Sequence, residues 1–234
     1  MKKELLSNDV NWSLFNEQIP LGLDATHIFA VPVYKHFQHV KKSYAEVLSD
    51  REEEKASRLF NPKDKERYIV SKYCLRKILA HFSNTHAHQL EFEFQDNKKP
   101  TIIMGIDFNI SHTEDYVLIV ISAKPVGIDV EFLNRDFDFK SILPISFSQK
   151  EISFIGEEEV DPLNFYLLWT RKEALLKATG EGISDNLHQV ECMNSFHERN
   201  GENYKMKSLI LDDNYLVSLA VQKDQHRLKF WKWL

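Results

Sequence analysis

Twice in this chain a capping residue is followed at once by proline, at Asn61-Pro62 and at Asp161-Pro162. Proline fits best at the first position of a helix, where its missing N–H has no partner to lose. Each pair therefore marks a helix start, and with only seven glycines and seven prolines in 234 residues such punctuation carries weight. The first helix is predicted to run to about His81, with Tyr68, Leu75, Ile78 and Leu79 toward the core. The second is predicted to run to about Thr179, where Gly180 supplies the stop. Leu168 with Leu175, and Leu167 with Ala174 and Ala178, would share its buried faces.

Extended pieces fill the spaces between. Thr26 to Tyr34 alternates and is rich in β-formers, and Phe37 to Leu48 reads as a helix. After a polar loop at 83–88 come short extended pieces at 90–94 and 101–103, then strands at 106–110 and 116–121 joined by a turn at 111–115. The second half opens at Pro125-Val126-Gly127 with a strand carrying Asp129 and Glu131, followed by helical pieces at 139–143 and 148–155. Strands are expected at 187–195, 204–211, 215–221 and 228–231. This pattern predicts an α+β fold of two similar subdomains, 1–124 and 125–234, each with helices on a small, mainly antiparallel sheet and with a ligand cleft between them.

Composition narrows the function classes. An apolar fraction of 43% supports a packed core, and no segment has the roughly 20 apolar residues of a membrane span. The first residues lack the apolar run of a secretory signal, so the expected setting is cytoplasmic, with no membrane partner. A formal charge of −5 gives no overall field for nucleic acid. Cys74 and Cys192 stand apart within apolar patterns, which suits core residues better than a disulfide or zinc site.

The chemistry concentrates in two places. Asp129 and Glu131 are two apart on a strand and so share a face. At about 7 Å and an effective dielectric near ~20 they repel by roughly 2 kcal/mol, a cost that a bound cation reverses. A solvated edge strand is the plain alternative. Trp169, Glu173 and Lys177 form an i, i+4, i+8 stripe on the second helix. An ordinary Glu-to-Lys surface pair, worth roughly 0.3–0.5 kcal/mol, would account for the two charges but not for Trp169, Lys172 or the Gly180-x-Gly182 exit. At the end of an apolar strand, Ser111 and His112 offer a hydroxyl and an imidazole to a phosphate.

In this order and spacing, Phe108-Asn109-Ile110-Ser111-His112, Val126-Gly127-Ile128-Asp129-Val130-Glu131, Phe147-Ser148-Gln149-Lys150-Glu151 and Trp169-Thr170-Arg171-Lys172-Glu173-Ala174 with Lys177 and Gly180-x-Gly182 resemble the 4′-phosphopantetheinyl transferases. The length resembles their monomeric, two-subdomain type. The resemblance implies transfer of the 4′-phosphopantetheine arm of coenzyme A to a serine of an apo acyl or peptidyl carrier protein, with release of 3′,5′-ADP. It implies Mg²⁺ held by Asp129, Glu131 and Glu173 on the coenzyme A diphosphate. On the same resemblance, either Glu173 or a water on the metal would take the serine proton. Lys177 would neutralise phosphate charge with help from Lys172, Ser111 and His112 would hold coenzyme A phosphate, Lys99 would touch the cofactor and Lys55 its 3′-phosphate. At Glu52 the chain departs from relatives that place a second basic residue there.

Other polar groups take structural readings: Arg67 and Arg76 as helix pairing, Glu151 outside the metal set, and His86-x-His88 as loop chemistry. Two rival functions remain, another Mg²⁺-dependent enzyme that cleaves a diphosphate, and a non-catalytic carrier-protein or coenzyme A binder.

Overall fold

The computed structural model describes residues 5–7, 10–83, 85–94, 99–102, 105–157, 159–182 and 186–233. The end of the extended piece expected at 101–103, one residue of the loop at 83–88 and the Ile183 that closes the Trp169 motif lie outside them. Strands β1 (Trp12–Leu14), β2 (Thr26–Pro32), β5 (Asp107–Thr113), β6 (Tyr116–Ser122) and β11 (Leu228–Lys232) form a five-stranded sheet in the order β1-β11-β2-β6-β5. A second sheet runs β7 (Val126–Phe132), β10 (Tyr215–Gln222), β9 (Glu202–Leu211), β8 (Phe196–Arg199), all antiparallel. Glu93–Phe94 (β3) and Pro100–Thr101 (β4) make a separate small pair.

Helices cover the outer faces. The first sheet carries α1 (Val33–Val40), α2 (Asp50–Ser57) and α3 (Pro62–Ser83), and the chain continues through α4 (Leu143–Ser146) and α5 (Gln149–Ile155) to α6 (Pro162–Thr179) on the second sheet. Phe29, Val31, Val117, Ile119 and Ile121 face Val70, Cys74, Leu75, Ile78 and Leu79 of α3. The alternate residues Ile28, Ala30, Leu118 and Val120 meet Val126, Ile128, Val130, Val217 and Leu219 between the sheets. Period-two alternation thus gives each of these strands two buried faces. The fold is α+β with two subdomains. Asp161 caps α6, accepting from Leu163 N at 2.9 Å and Asn164 N at 3.4 Å, and Gly180 ends it with φ 74°.

Several expectations change. The turn expected at 111–115 is shorter, because β5 stays paired through Ser111↔Leu118, His112↔Val117 and Thr113↔Tyr116. Ser111 and His112 therefore lie on a strand. The helix expected at 37–48 ends at Val40, and the acidic run around Glu52 forms its own helix α2. The strand expected at 187–195 is a short 3₁₀ turn, Leu187–Gln189, followed by loop. Its carbonyls are bonded by side chains of α6 instead of a ladder: Lys172 Nζ donates to Leu187 O and Val190 O, and Arg171 to Cys192 O and Asn194 O. Finally β11 pairs in parallel with β2, so the last strand of the sequence completes the first sheet.

What brings α6 onto β7 is Gly127. A Cβ placed there would stand 2.0 Å from Ala174 O and 2.5 Å from Ala178 N, both helix backbone. Only hydrogen fits. Gly127→Ala should destabilise the protein by about 3 kcal/mol or more through overpacking and should abolish activity. Urea unfolding with an unchanged midpoint would show that the helix simply lifts away at no cost.

Candidate active site

Gly127, Asp129 and Glu131 alternate onto the β7 face that α6 covers, and Ala174 and Ala178 pack on the glycine one helical position from Glu173 and Lys177. Close packing of these small residues thus delivers two carboxylates from a strand and a carboxylate with an ammonium from a helix to one place. A cavity of about 290 Å³ is lined by Ile110, Ser111, His112, Asp129, Val130, Glu131, Trp169, Glu173 and Lys177. The expected stripe of Trp169, Glu173 and Lys177 meets the strand pair there. An exposed surface pair does not describe this helix, since Glu173 is 6% exposed.

Lys177 Nζ donates to Asp129 Oδ1 at 2.7 Å and to Ser111 Oγ at 3.2 Å, and Ser111 Oγ donates to Asp129 Oδ1 at 2.8 Å. Trp169 donates to Glu131, which also accepts from Thr113 Oγ1 at 3.5 Å. Two buried oxygens, Asp129 Oδ2 and Glu173 Oε1, have no hydrogen-bond partner in the chain. Burial, and then the charge of Asp129, pushes the Glu173 carboxyl up to about 7 against the opposing pull of Lys177. Glu131 is also pushed up to about 7, by burial first and by Asp129 next.

Three carboxylates alone do not make a preassembled cage. Among the described residues, no group of three or more His, Cys, Asp or Glu side chains is arranged to hold a metal ion. The physical reason lies in the partners, since Asp129 Oδ1 is committed to Lys177 and Ser111, and Glu131 to Trp169 and Thr113. The two unpartnered oxygens nevertheless fit a hard cation whose remaining ligands are substrate phosphate and water, the usual arrangement for Mg²⁺.

Next to this cavity lies a larger one of about 560 Å³, and His112 and Ile110 line both. Lys55, Arg67 and Lys72 give it positive character, and its lining also holds His112 and Asp64, which pairs with Arg67. Lys55 and Lys72 flank the Tyr68 ring, their Nζ atoms 5.2 and 5.8 Å from its centroid. Burial, then Arg67, holds the His112 imidazole below its ordinary value. Tyr68 and Lys72 lie outside the expected site residues, and Arg67, expected to pair along its helix, does so with Asp64 while lining this cavity. Their signal was the polar stripe Asp64, Arg67, Tyr68, Ser71, Lys72 at i, i+3, i+4, i+7, i+8, one face of α3.

Two expected participants, Lys172 and Lys99, sit elsewhere. Lys172 is fully buried on another side of α6, where it pairs with Glu151 at 2.7 Å and holds the two loop carbonyls. Glu151 closes the α5 capping box, accepting from Ser148 N at 3.0 Å, and accepts from Cys192 N at 2.8 Å. Lys99 pairs with Asp107 at 2.8 Å and lines a different cavity, with Asp107, Pro125 and Gly180. Its neighbour Pro100 lines the cationic one. At the departure noted at Glu52, the carboxylate pairs with Arg76 Nε at 2.5 Å, and the same guanidinium donates to Ala87 O and Leu90 O.

A family model for the 4′-phosphopantetheinyl transferase superfamily matches residues 125–228, and one for the N-terminal part of 4′-phosphopantetheinyl transferases matches 32–124. The chain belongs to the 4′-phosphopantetheinyl transferase superfamily. Among its relatives, the transferase HetI of Nostoc sp. is 27% identical over 220 residues, 89% of this chain and 92% of that protein. A putative 4′-phosphopantetheinyl transferase of Synechocystis sp. is 32% identical over 63% of each chain. The transferase Sfp of Bacillus subtilis is 27% identical over 63% of this chain and 66% of its own. The two family matches meet at 124/125, immediately before β7 and its carboxylates.

The raised carboxyls of this phosphopantetheinyl transferase make metal-free stability pH-dependent. A folded-state value above the unfolded one stabilises fully below about 4.5, and that contribution is lost as pH rises through about 7. Glu173→Gln removes the ionisation, so in chelator its melting temperature should exceed wild type at about pH 8 and converge with it at about pH 5. Parallel melting curves at both pH values would refute the assignment. Separately, Lys172→Ala leaves Glu151 buried without its counter-charge and should cost about 3–5 kcal/mol in urea unfolding. A loss below about 1 kcal/mol, typical of an exposed pair, would contradict the buried geometry.

Proposed function

We propose that this phosphopantetheinyl transferase moves the 4′-phosphopantetheine arm of coenzyme A onto a serine of an apo acyl or peptidyl carrier protein, with Mg²⁺ at Asp129, Glu173 and Glu131. The observation that carries the reading is the pair of buried, unpartnered oxygens, Asp129 Oδ2 and Glu173 Oε1, beside Lys177 and next to a cationic cavity. Bound Mg²⁺ would polarise the diphosphate and offset the charge that grows on its oxygens.

The chain's own groups supply the rest. Lys55, Arg67, Lys72 and His112 hold the anionic nucleotide end, with Lys55 and His112 at its 3′-phosphate. Lys177 steadies negative charge on the transferring phosphate, in a site where burial keeps electrostatic interactions strong. The serine Oγ bonds to the β-phosphorus, the bond from that phosphorus to the bridging oxygen breaks, and 3′,5′-ADP leaves with the electron pair. Glu173 would take the serine proton.

The proposal includes a monomeric, cytoplasmic enzyme. No helix among the described residues is long and apolar enough to cross a membrane. It also includes a division of labour between 1–124, which contacts the nucleotide, and 125–234, which holds the metal, with β11 crossing back to complete the first sheet.

Mass spectrometry of an apo carrier incubated with enzyme, coenzyme A and Mg²⁺ tests the reaction. One added phosphopantetheine per carrier is expected, and Glu173→Ala should reduce the rate by at least about 100-fold. Hydrolysis of coenzyme A with an unchanged carrier mass would instead point to a diphosphate-cleaving enzyme. Lys55→Ala should raise KM for coenzyme A about tenfold while leaving KM for 3′-dephospho-coenzyme A nearly unchanged.

A further inference from the structure

Two lysines from different helices reach one aromatic ring in the larger cavity. Tyr68 and Lys72 are four apart on α3 and share a face. Lys55 comes from α2, which packs on α3 through a small core of Leu48, Ala56 and Ile69 with Tyr68 against it. Ala56 and Ile69 are the chain neighbours of Lys55 and Tyr68, so the helix contact itself sets the ammonium beside the ring. The Nζ atoms of Lys55 and Lys72 stand 5.2 and 5.8 Å from the Tyr68 centroid. A phenol face attracts a cation weakly and neutralises neither charge.

Carboxylates do not neutralise them either. Among the described residues, the acids that line this cavity, or the one of about 650 Å³ that shares Lys55, Tyr68 and Lys72 with it, mostly have other partners. Glu52 is bound to Arg76, Glu54 to Arg58 and Asp64 to Arg67, and Glu91 lines only the second cavity. Burial lowers the half-buried Lys72 ammonium below its ordinary value; Glu52 opposes that and Lys55 adds to it. Two positive charges held together without a carboxylate favour an anion beside them.

The amount of charge says which anion. A phosphate monoester carries about −1.5 to −2 near neutral pH and offers three free oxygens, enough for both ammonium groups. Each phosphate of the coenzyme A diphosphate carries a single charge, and the acidic cavity with its cation serves that part. The monoester of the donor is its 3′-phosphate.

We propose that Lys72 is a specificity-determining residue, closing with Lys55 a two-lysine clamp on the 3′-phosphate of the donor. The proposal rests on the coenzyme A reading above for the identity of the anion, and deepens it by giving that phosphate a cation from α3. At position 52, where the chain departs from its relatives, the carboxylate serves Arg76. Thus α3 supplies the charge that α2 does not.

Competition calorimetry in chelator gives the affinity of coenzyme A relative to 3′-dephospho-coenzyme A. Lys72→Met keeps the stem beside Tyr68 and removes the charge, and it should shrink the advantage of coenzyme A at least about tenfold. Lys72→Arg, which keeps the charge, should stay within about threefold of wild type. Equal losses on the two donors would place Lys72 on the diphosphate and overturn the clamp, as would an unchanged affinity for coenzyme A or a wild type that does not distinguish the two. If Lys72→Met does not fold, Lys72→Gln bears the same comparison. Carrier modification separates the two levels: if wild type modifies a carrier while Lys72→Met shows no selective loss, the clamp alone falls. If wild type prefers coenzyme A through Lys72 yet transfers nothing to any carrier, the clamp stands and the transfer reading falls.

Discussion

A missing methyl group at Gly127 underlies the architecture of this site. The helix backbone at Ala174 and Ala178 comes so close to β7 that no Cβ could stand between them. Strand alternation then fixes which side chains follow on that face, namely Asp129 and Glu131. Helical spacing likewise fixes the positions of Glu173 and Lys177 beside the two alanines. Lys177 there meets the short side chain of Asp129 at 2.7 Å. The close packing makes the charge cluster possible, and the cluster gives the close packing its use.

The protein buries many charges, and the way each is treated separates structure from function. Lys172 and Glu151 neutralise one another, and carbonyls and amides take up their remaining hydrogen bonds. Arg76 has Glu52 and several carbonyls, and Arg171 has the loop carbonyls of Cys192 and Asn194. These arrangements meet the cost of burial with near-complete hydrogen bonding, as a structural charge must. Asp129 and Glu173 each keep one buried oxygen without a partner, and burial together with the charge of Asp129 raises the Glu173 carboxyl above its ordinary value. Electrostatic strain of that kind persists where a ligand relieves it.

Much of this was legible in the sequence wherever the relevant spacing is local. Asp161, Pro162 and Gly180 set the ends of α6, and Glu173 and Lys177 share a face because four residues make about one turn. The same geometry carried a warning about Lys172. It is adjacent to Glu173 in the chain and so points about 100° away, toward α5 and the loop. Its partner Glu151 lies 21 residues earlier, and no local rule pairs the two. Glu52 with Arg76 is similarly remote. The return of β11 to the first sheet follows from long-range pairing with β2 that periodicity does not encode. Ser111 looked like turn chemistry because polar residues cluster there, yet cross-strand pairing with β6 extends the strand through it.

The two sheets meet along β5 and β7 through side chains: Val126 N donates to Asp107 Oδ2 at 3.2 Å, Ile128 N to Asn109 Oδ1 at 3.0 Å and Val130 N to Ser111 Oγ at 3.3 Å. This seam shapes how the two halves work together. A continuous backbone ladder would merge the sheets and impose one twist across the site. Side-chain rungs satisfy the amides while leaving each sheet its own geometry, so the cationic cavity on α3 and the acidic cavity on α6 are built by separate cores. His112 and Ile110, at the end of the seam, line both cavities. A substrate with a cationic requirement at one end and a metal requirement at its diphosphate would span that junction, and its own phosphates would complete the balance of charge that the empty chain leaves open. Binding energy from the nucleotide end is thereby available to hold the reacting phosphorus against Lys177 and the carboxylates, where stabilisation of developing charge lowers the barrier.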